Sequence, residues 1–205
     1  MMKWYYGLAI FTFLGFCILW MTYETSFIEA FDKQLADVLY GNQFIAMFHH
    51  IGETKFIFFI GIVLIVFIWL RLRDYKLMLF VMMTVGFGYV LYQFLKRVIG
   101  RPRPDIVDQF STFSFPSGHA LHGMLYLLTI AYVLNRLIVF KKVGLLIWLV
   151  AILLFLLVGL SRVAEARHYA SDVFAGWMLG YSWFMLSVLW YESGNSKCGV
   201  VRDPH

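Results

Sequence analysis

The chain has 205 residues, of which 61% are hydrophobic and only 14% are charged, and its mean hydropathy is +0.76. Because soluble domains are about half apolar and about one quarter charged, this composition excludes an ordinary soluble protein and predicts an integral membrane protein. The formal net charge of +5 does not indicate nucleic-acid binding, since the basic residues lie in short stretches between apolar segments.

Six apolar segments follow one another along the chain, and most approach the roughly 20 residues that a helix needs to cross a bilayer. They comprise residues 4–22, 56–70, 77–95, 120–134, 143–160 and 173–190. The sequence therefore predicts an all-α integral membrane bundle of six transmembrane helices, formed by one domain over residues 1–205.

The longest polar stretch, residues 24–50, lies between the first two segments. Its apolar residues recur at helical spacing: Phe27, Ile28, Phe31, Leu35 and Val38. Charged residues lie between them: Glu29, Asp32, Lys33 and Asp37. This pattern predicts an interfacial helix between the first two spans, lying at the outer surface of the membrane. Such a helix either covers the bundle or acts as a lid or guide for a lipid.

Charge predicts the orientation of the bundle. Six spans place both termini on one side of the membrane, together with the loops at 71–76 and 135–142. Basic residues divide almost evenly between the two sides, but those of loops 96–119 and 161–172 include candidates for catalysis. If these are set aside, the positive-inside rule assigns the termini to the cytoplasm. We therefore expect a multi-pass protein of the cell (plasma) membrane whose active site is extracytoplasmic.

A Pro-Ser-Gly-His motif precedes the fourth apolar segment. Ser117 is a favourable helix N-cap, and Gly118 allows the backbone to approach a ligand closely. The first turn of a helix binds anions through its unpaired N–H groups and the positive end of its dipole. His119 is expected to face that anion. For this motif alone, a capped helix with an incidental histidine is the alternative.

Three basic residues are predicted beside this anion site. Lys96 and Arg103 belong to one loop and Arg162 to another, and the span count places both loops on the same face. Three fixed cations suit a phosphate, because arginine binds phosphate oxygens bidentately and lysine acts as a point charge. Snorkelling or contact with lipid headgroups accounts for the other nearby basic residues, which are Arg97, Arg101 and Arg167.

A histidine and an aspartate complete the constellation. His168 and Asp172 are four residues apart, which brings them onto one helix face or close together across a turn. The carboxylate of Asp172 can accept a hydrogen bond from Nδ1–H of His168, which leaves a lone pair on Nε2. Such a histidine acts as a base or a nucleophile. We favour the nucleophile, because no serine or cysteine is obviously paired with it.

These residues resemble the three-part signature of the type 2 phosphatidic acid phosphatase superfamily. The matching motifs are Lys96-x6-Arg103-Pro104, Pro116-Ser117-Gly118-His119 and Ser161-Arg162-x5-His168-x3-Asp172. All signature positions are present and in order, and the six-span layout extends the likeness over nearly the whole chain. Spacing selects Arg103 as the signature arginine, although Arg101 also precedes a proline and is a candidate to share its role.

The resemblance implies a catalytic mechanism. His168 is expected to attack phosphorus and form a phosphohistidine while Asp172 holds its ring, and His119 to protonate the leaving alkoxide and then activate water. The resemblance assigns the phosphate oxygens to five substrate-binding residues: Lys96, Arg103, Ser117, Gly118 and Arg162. Neither a metal ion nor another cofactor is expected.

Three other functions remain open at this stage. A metallohydrolase could use His119, His122, His168 and Asp172 as ligands, although nearby cations would repel a divalent ion. An anion channel or carrier is the non-enzyme alternative, since intramembrane charges often mark transport. A relative that passes the phosphoryl group to another lipid or a sugar would share the first half of the reaction.

The position of the site at the membrane edge predicts a membrane lipid phosphate as substrate, with its acyl chains in the lipid bilayer. From the resemblance alone we favour phosphatidylglycerophosphate, hydrolysed to phosphatidylglycerol, with undecaprenyl diphosphate as the closest alternative. No nucleic acid and no obligate protein partner are expected. His49 and His50 lie in the outer loop away from the signature and are interpreted as structural or incidental.

Overall fold

The computed structural model describes residues 3–106 and 109–193. Seven long helices follow in chain order: α1 (Lys3–Thr22), α2 (Ser26–Leu39), α3 (Thr54–Leu72), α4 (Tyr75–Ile99), α5 (Gly118–Leu137), α6 (Lys141–Ala164) and α7 (Ala170–Ser193). A helical turn, Gln43–Ala46, and a 3-10 helix, Met47–Gly52, connect α2 to α3. The end of α3 (Ile68–Leu72) and the middle of α4 (Met82–Phe87) are π-helical. The described residues contain no β-strand.

The prediction of six transmembrane helices is confirmed. Helices α1 and α3 to α7 are each long and apolar enough to cross a membrane. Most of these helices extend beyond the apolar segments that predicted them, and polar residues form their last turns. Lys96 therefore lies within α4 and Arg162 within α6, and not in loops as the apolar segments suggested. The end of a helix fixes the orientation of these two side chains better than a loop would.

Helix α5 forms the centre of the bundle. Of its most apolar stretch, 67% is buried within the protein, compared with 6% for α1. Helix α5 packs mainly against α6 and α7, and α1 packs on the outer side of α7. Because other helices surround α5, its first turn is enclosed within one end of the bundle.

The helix predicted over residues 24–50 is present as α2, but its buried face differs from the predicted one. Phe27 and Val38 are exposed, whereas Ile28 and Asp32 are buried. Apolar side chains of α2 pack against the ends of α5, α6 and α7: Phe31, Leu35 and Leu39. The expectation that Asp32 lies with the polar residues was wrong, and this carboxylate points into the protein. Helix α2 therefore covers the end of the bundle that holds the signature.

Hydrogen bonds bring the three signature segments together. The loop between α4 and α5 folds back on itself, because the amide of Ser114 donates to the carbonyl of Arg101 at 2.7 Å. The amide of Ser117 donates to the carbonyl of Asp172 at 2.9 Å, which joins the start of α5 to the start of α7. The amide of His168 donates to the carbonyl of Arg162 at 3.2 Å and holds the α6–α7 connection against the end of α6.

Candidate active site

A cavity of about 490 Å³ lies where the three segments meet. Six of the eight residues predicted to form the site line it: Lys96, Arg103, Gly118, His119, Arg162 and His168. Ser117 and Asp172 lie directly behind this lining and are fully buried. We call Lys96, Arg103 and Arg162 the cationic cup. The structure thus gathers residues that are 76 positions apart in sequence around one space of a size suited to a phosphate and part of its alcohol.

His168 has different partners at its two ring nitrogens. Its Nδ1 lies 3.4 Å from Oδ2 of Asp172 and 3.3 Å from Oγ of Ser114. Its Nε2 lies 3.2 Å from Nη1 of Arg103, which can only donate a hydrogen bond. Nε2 is therefore the unprotonated nitrogen, and Nδ1 carries the proton. This is the tautomer that a nucleophilic Nε2 requires.

The environment of His168 also keeps the ring neutral. Its side chain is buried, and Arg103, Lys96 and Arg162 are the nearby cations. Burial, followed by repulsion from these positive charges, lowers the pKa of His168 well below its ordinary value. The lone pair on Nε2 is thus available at neutral pH.

Asp172 is held by a set of buried polar residues behind His168. We call this set the anchor network; it comprises Asp32, Arg101, Ser114, Ser171 and Asp172. Oδ1 of Asp172 accepts from Nη1 of Arg101 at 2.7 Å. Oδ2 of Asp172 accepts from the hydroxyl of Ser114 and, at 3.0 Å, from the amide of Tyr169. With both oxygens engaged, the carboxylate cannot turn away from the imidazole.

The interfacial helix contributes the far end of the anchor network. Oδ2 of Asp32 accepts from Nη2 of Arg101 at 3.0 Å and from the hydroxyl of Ser171 at 2.7 Å. Its Oδ1 accepts from the amide of Ser171 at 2.6 Å. The expectation that Arg101 snorkels or contacts lipid headgroups was wrong, because this side chain is buried between two carboxylates. Arg101 holds Asp172 and does not line the 490 Å³ cavity.

Lys96 is held by a tyrosine that lies outside the signature. The ammonium of Lys96 donates to Oη of Tyr92 at 2.6 Å, one turn earlier on α4. Tyr92 also explains the glycine at position 118, because a Cβ there would lie 2.6 Å from Oη of Tyr92. The absence of a side chain at Gly118 therefore allows the phenol of Tyr92 to lie against the first turn of α5.

Three buried polar groups at the cavity have no hydrogen-bond partner among the described residues: Oγ of Ser117, Nε2 of His122 and Nε of Arg162. Ser117 occupies the predicted N-cap position of α5, but its hydroxyl does not bond to the helix. Nη1 of Arg162 donates to Oε2 of Glu165 at 2.6 Å. Because buried polar groups normally have partners, these three unpaired groups indicate a polar ligand at the site.

His119 lies in the first turn of α5. It lines both the 490 Å³ cavity and a neighbouring cavity of about 690 Å³, which Arg162 also lines. The 3-10 helix packs against it, since a Cβ at Gly52 would lie 2.9 Å from Cδ2 of His119. His119 thus stands at the boundary between the cationic cup and a second space that could hold the leaving alcohol.

The side chains required by a metallohydrolase do not converge. Nδ1 of His122 bonds to the carbonyl of Gly118 at 2.8 Å, and its ring packs between Tyr89 and Tyr92. Potential metal ligands do come close enough to share one ion elsewhere in the described residues, 3–106 and 109–193. These ligands belong to His49, His50 and Glu53. The geometry therefore favours two imidazoles that act on a phosphate over two that ligate an ion.

Four residues of the site were missed from the sequence: Asp32, Tyr92, Ser114 and Ser171. A signal existed for Asp32, because it continues the i, i+4, i+7 stripe begun by Ile28 and ended by Leu35. A carboxylate in an apolar stripe requires a partner. Tyr92 lies one turn before Lys96 on the same helix face. Nothing in the sequence marked Ser114, whose role depends on how the loop folds.

Comparison with known proteins agrees with the geometry. Residues 74–195 match the family model of the PAP2 superfamily. The chain is 33% identical over 187 residues to phosphatidylglycerophosphatase B of Bacillus subtilis, covering 85% of this chain and 90% of that protein. It is also 33% identical over 131 residues to lipid A 1-phosphatase of Rhizobium etli, covering 58% of this chain and 50% of that protein.

A solved structure shares the whole architecture. It is the crystal structure of a transmembrane PAP2 type phosphatidylglycerolphosphate phosphatase from Bacillus subtilis. The two chains are 26% identical and superpose with a TM-score of 0.82, over 95% of this chain and 98% of the other. The agreement includes the interfacial region as well as the six spans.

Proposed function

The chain belongs to the PAP2 superfamily and is a multi-pass membrane protein, and on this premise we propose that it hydrolyses the phosphate ester of a membrane lipid through a phosphohistidine on His168. One observation supports the proposal most strongly. The unprotonated Nε2 of His168 and the ring of His119 face a single cavity that also holds the cationic cup.

In the first step, Nε2 of His168 attacks phosphorus and the bond between phosphorus and the lipid alkoxide breaks. His119 donates a proton to the departing oxygen. The negative charge of the bound phosphate favours the protonated form of His119. Asp172 stabilises the positive charge that develops on His168, because its carboxylate lies against Nδ1.

In the second step, His119 removes a proton from water and the water oxygen attacks phosphorus. The phosphorus–nitrogen bond breaks, inorganic phosphate leaves and His168 returns to its neutral form. Throughout, the cationic cup and the backbone of Gly118 hold the equatorial oxygens, whose charge changes most in the transition state. Ser117 and Nε of Arg162, which lack protein partners, are available for the same oxygens.

Phosphatidylglycerophosphate is the substrate that we propose. Phosphatidylglycerophosphatase B of Bacillus subtilis supports the choice both by its sequence and by its crystal structure, and each match extends over most of the chain. The Rhizobium relatives named for lipid A match a shorter part of the chain. We further propose that the site opens to the extracytoplasmic side and that the termini are cytoplasmic, an orientation that the remaining basic residues favour once those of the site are set aside.

The proposal is tested by phosphate release from a panel of lipids by the purified chain, with EDTA present throughout. The panel contains phosphatidylglycerophosphate, undecaprenyl diphosphate, phosphatidate and lipid A 1-phosphate. We expect hydrolysis that survives EDTA and is fastest with phosphatidylglycerophosphate. Loss of activity in EDTA would support a metallohydrolase, and consumption of the lipid without phosphate release would support a phosphotransferase.

The nucleophile is tested by His168→Ala. We expect turnover to fall by about 10⁴-fold or more, since loss of a nucleophile removes the whole covalent route. The variant should also fail to retain labelled phosphate after rapid acid-free quenching. If His168→Ala keeps one tenth of the wild-type turnover, His168 is not the nucleophile. His50→Asn is the matched control, because this exposed imidazole lies on the 3-10 helix and has no proposed role in phosphoryl transfer.

A further inference from the structure

A second group of titratable side chains lies at the rim of the site, on and just after the 3-10 helix. The potential ligand atoms of His49, His50 and Glu53 lie within 4.8 Å of one another. Oε1 of Glu53 is 4.0 Å from Nε2 of His49 and 3.5 Å from Nδ1 of His50. Ligands of a tetrahedral zinc ion at about 2.0–2.1 Å lie roughly 3.3 Å apart. Small side-chain rotations therefore suffice to bring these three atoms around one ion.

The tautomer of His49 is fixed in the form that binds a metal. Its Nδ1 lies 2.7 Å from Oε1 of Glu165 and 2.9 Å from the carbonyl of Ala46. Both partners are acceptors, so Nδ1 carries the proton and Nε2 presents its lone pair to the cluster. A carboxylate behind a histidine ligand orients the ring and makes the other nitrogen more basic. This arrangement is an observation independent of the clustering itself.

Charge distinguishes this cluster from the cationic cup. Two carboxylates, Glu53 and Glu165, lie next to the imidazoles of His49 and His50, and Arg162 pairs with Glu165. Oxygen and imidazole ligands with net negative charge suit a divalent ion of the first transition series. His50 and Glu53 are exposed, so an ion can reach them from water.

The cluster also contacts the catalytic machinery. His49 and Glu53 line the 690 Å³ cavity together with His119 and Arg162. Glu165 connects the two sites, because one of its oxygens bonds to His49 and the other accepts from Arg162 at 2.6 Å. The expectation that His49 lies away from the signature was wrong.

We propose that His49, His50 and Glu53 form a site for a divalent transition metal, with Zn²⁺ as the best fit, and that occupancy inhibits the enzyme. The inhibitory part rests on the function proposed above. An ion on Nε2 of His49 makes Nδ1–H a stronger donor to Glu165. Negative charge on Glu165 is then drawn towards His49, so the pair of Glu165 with Arg162 weakens and Arg162 loses the contact that orients its Nε towards the phosphate. Three protein ligands leave the fourth position of the ion to water.

The experiment measures binding and inhibition on the same purified full-length chain. Calorimetric titration with Zn²⁺, and the absorption spectrum of bound Co²⁺, report occupancy without using activity. Phosphate release is measured in EDTA and over a series of Zn²⁺ concentrations. We expect one Zn²⁺ per chain, a tetrahedral Co²⁺ spectrum, and inhibition over the concentration range in which the site fills.

The test variant is His50→Ala, because His50 is exposed and contacts no residue of the proposed mechanism. We expect its Zn²⁺ affinity to fall by more than the about tenfold that loss of an outer-shell partner costs. The Zn²⁺ concentration for half inhibition should rise in parallel, while activity in EDTA stays at the wild-type value. Lys55→Ala, two residues beyond Glu53, is the matched control and should leave both titrations unchanged.

Each of the other outcomes counts against the proposal. Equal binding and inhibition in wild type and His50→Ala would place the ion elsewhere, on the catalytic histidines or the lipid phosphate. Binding that is lost in His50→Ala while inhibition persists would overturn the coupling through Glu165. If the chain releases no phosphate in EDTA, the proposed function is wrong, but the calorimetric and Co²⁺ titrations still decide whether the metal site exists.

Discussion

Two arginines in the segment Arg101-Pro102-Arg103-Pro104 have opposite surroundings. Arg101 is buried and forms ion pairs with Asp32 and Asp172. Arg103 lines the cavity and donates to neutral groups: the carbonyl of Thr112 at 2.8 Å, the carbonyl of Arg167 at 2.6 Å and Nε2 of His168. The guanidinium of Arg101 is neutralised by the protein, whereas that of Arg103 has no carboxylate among its hydrogen-bond partners in residues 3–106 and 109–193.

The difference separates two tasks that a phosphoryl-transfer site requires. A residue that binds a dianionic phosphate must keep its charge available, and bonds to carbonyls orient Arg103 without cancelling that charge. A residue that fixes the nucleophile must not move when substrate arrives, and ion pairs on both sides hold Arg101 in place. The cationic cup and the anchor network therefore respond differently to mutation, and His168 is the point at which they meet.

The largest effect is expected for Asp172→Asn, at the end of the anchor network that contacts the nucleophile. An amide can donate to Nδ1 and favour the wrong tautomer of His168, so kcat should fall by about 10⁴-fold, as loss of a triad carboxylate does. Steady-state phosphate release measures the effect. Ser171→Ala is the control, because it touches Asp32 and Arg101 but not His168. An Asp172→Asn enzyme within tenfold of wild type would contradict this role.

The next largest effect is expected for Arg101→Met, and it concerns the stability of the protein. The substitution leaves Asp32 and Asp172 buried without their shared cation, and breaking a buried pair in this way costs about 3–5 kcal/mol. We expect the free energy of unfolding in detergent to fall by that amount, with loss of activity as a consequence. Arg101→Met that unfolds like the wild type would show that the anchor network does not hold the fold together.

Arg103→Met is expected to show the converse behaviour. It removes one charged donor from the transition state, which costs about 10²–10³-fold in kcat. Unfolding should remain close to wild type, because the partners of Arg103 are two backbone carbonyls, a hydroxyl and an imidazole at a cavity wall. Comparison of the unfolding and kinetic data for both arginine variants tests the distinction directly. If Arg103→Met destabilises the protein as much as Arg101→Met does, the proposed difference between the two arginines is wrong.

The sequence predicted the cationic cup better than the anchor network. Lys96, Arg103 and Arg162 follow a fixed spacing, since each must reach one small anion from a defined helix end. The role of Arg101 could not be derived in this way, because the same dipeptide, Arg-Pro, occurs at both positions. Two buried carboxylates distinguish Arg101 from Arg103: Asp172 at the start of α7 and Asp32 on α2, both distant from Arg101 in sequence.

The six spans were predictable for a different reason. A bilayer requires about 20 apolar residues per helix, whatever the partners of that helix are. The local sequence pattern therefore suffices to predict α1 and α3 to α7, but it does not predict which face of α2 is buried. Asp32 is buried because Arg101 and Ser171 lie opposite it, and neither contact is local in sequence.

The smallest effect expected is a shift in the pH dependence of phosphohistidine formation. Repulsion from Arg103 contributes, after burial, to the lowered pKa of His168. Arg103→Met removes that repulsion and leaves the burial, so the pKa of His168 should rise but stay below its ordinary value. A neutral His168 is required for attack, and the acidic limb of the single-turnover rate should therefore lie at higher pH in the variant.

Rapid-quench measurements with one labelled lipid in both enzymes check this shift, since titration of the lipid phosphate is common to the two profiles. Thr112→Val is the matched control: it removes the hydroxyl that accepts from Nη2 of Arg103 at 3.0 Å but leaves the charge in place. Its acidic limb should coincide with that of wild type. A limb that does not move in Arg103→Met would mean that the charge of Arg103 does not act on the nucleophile.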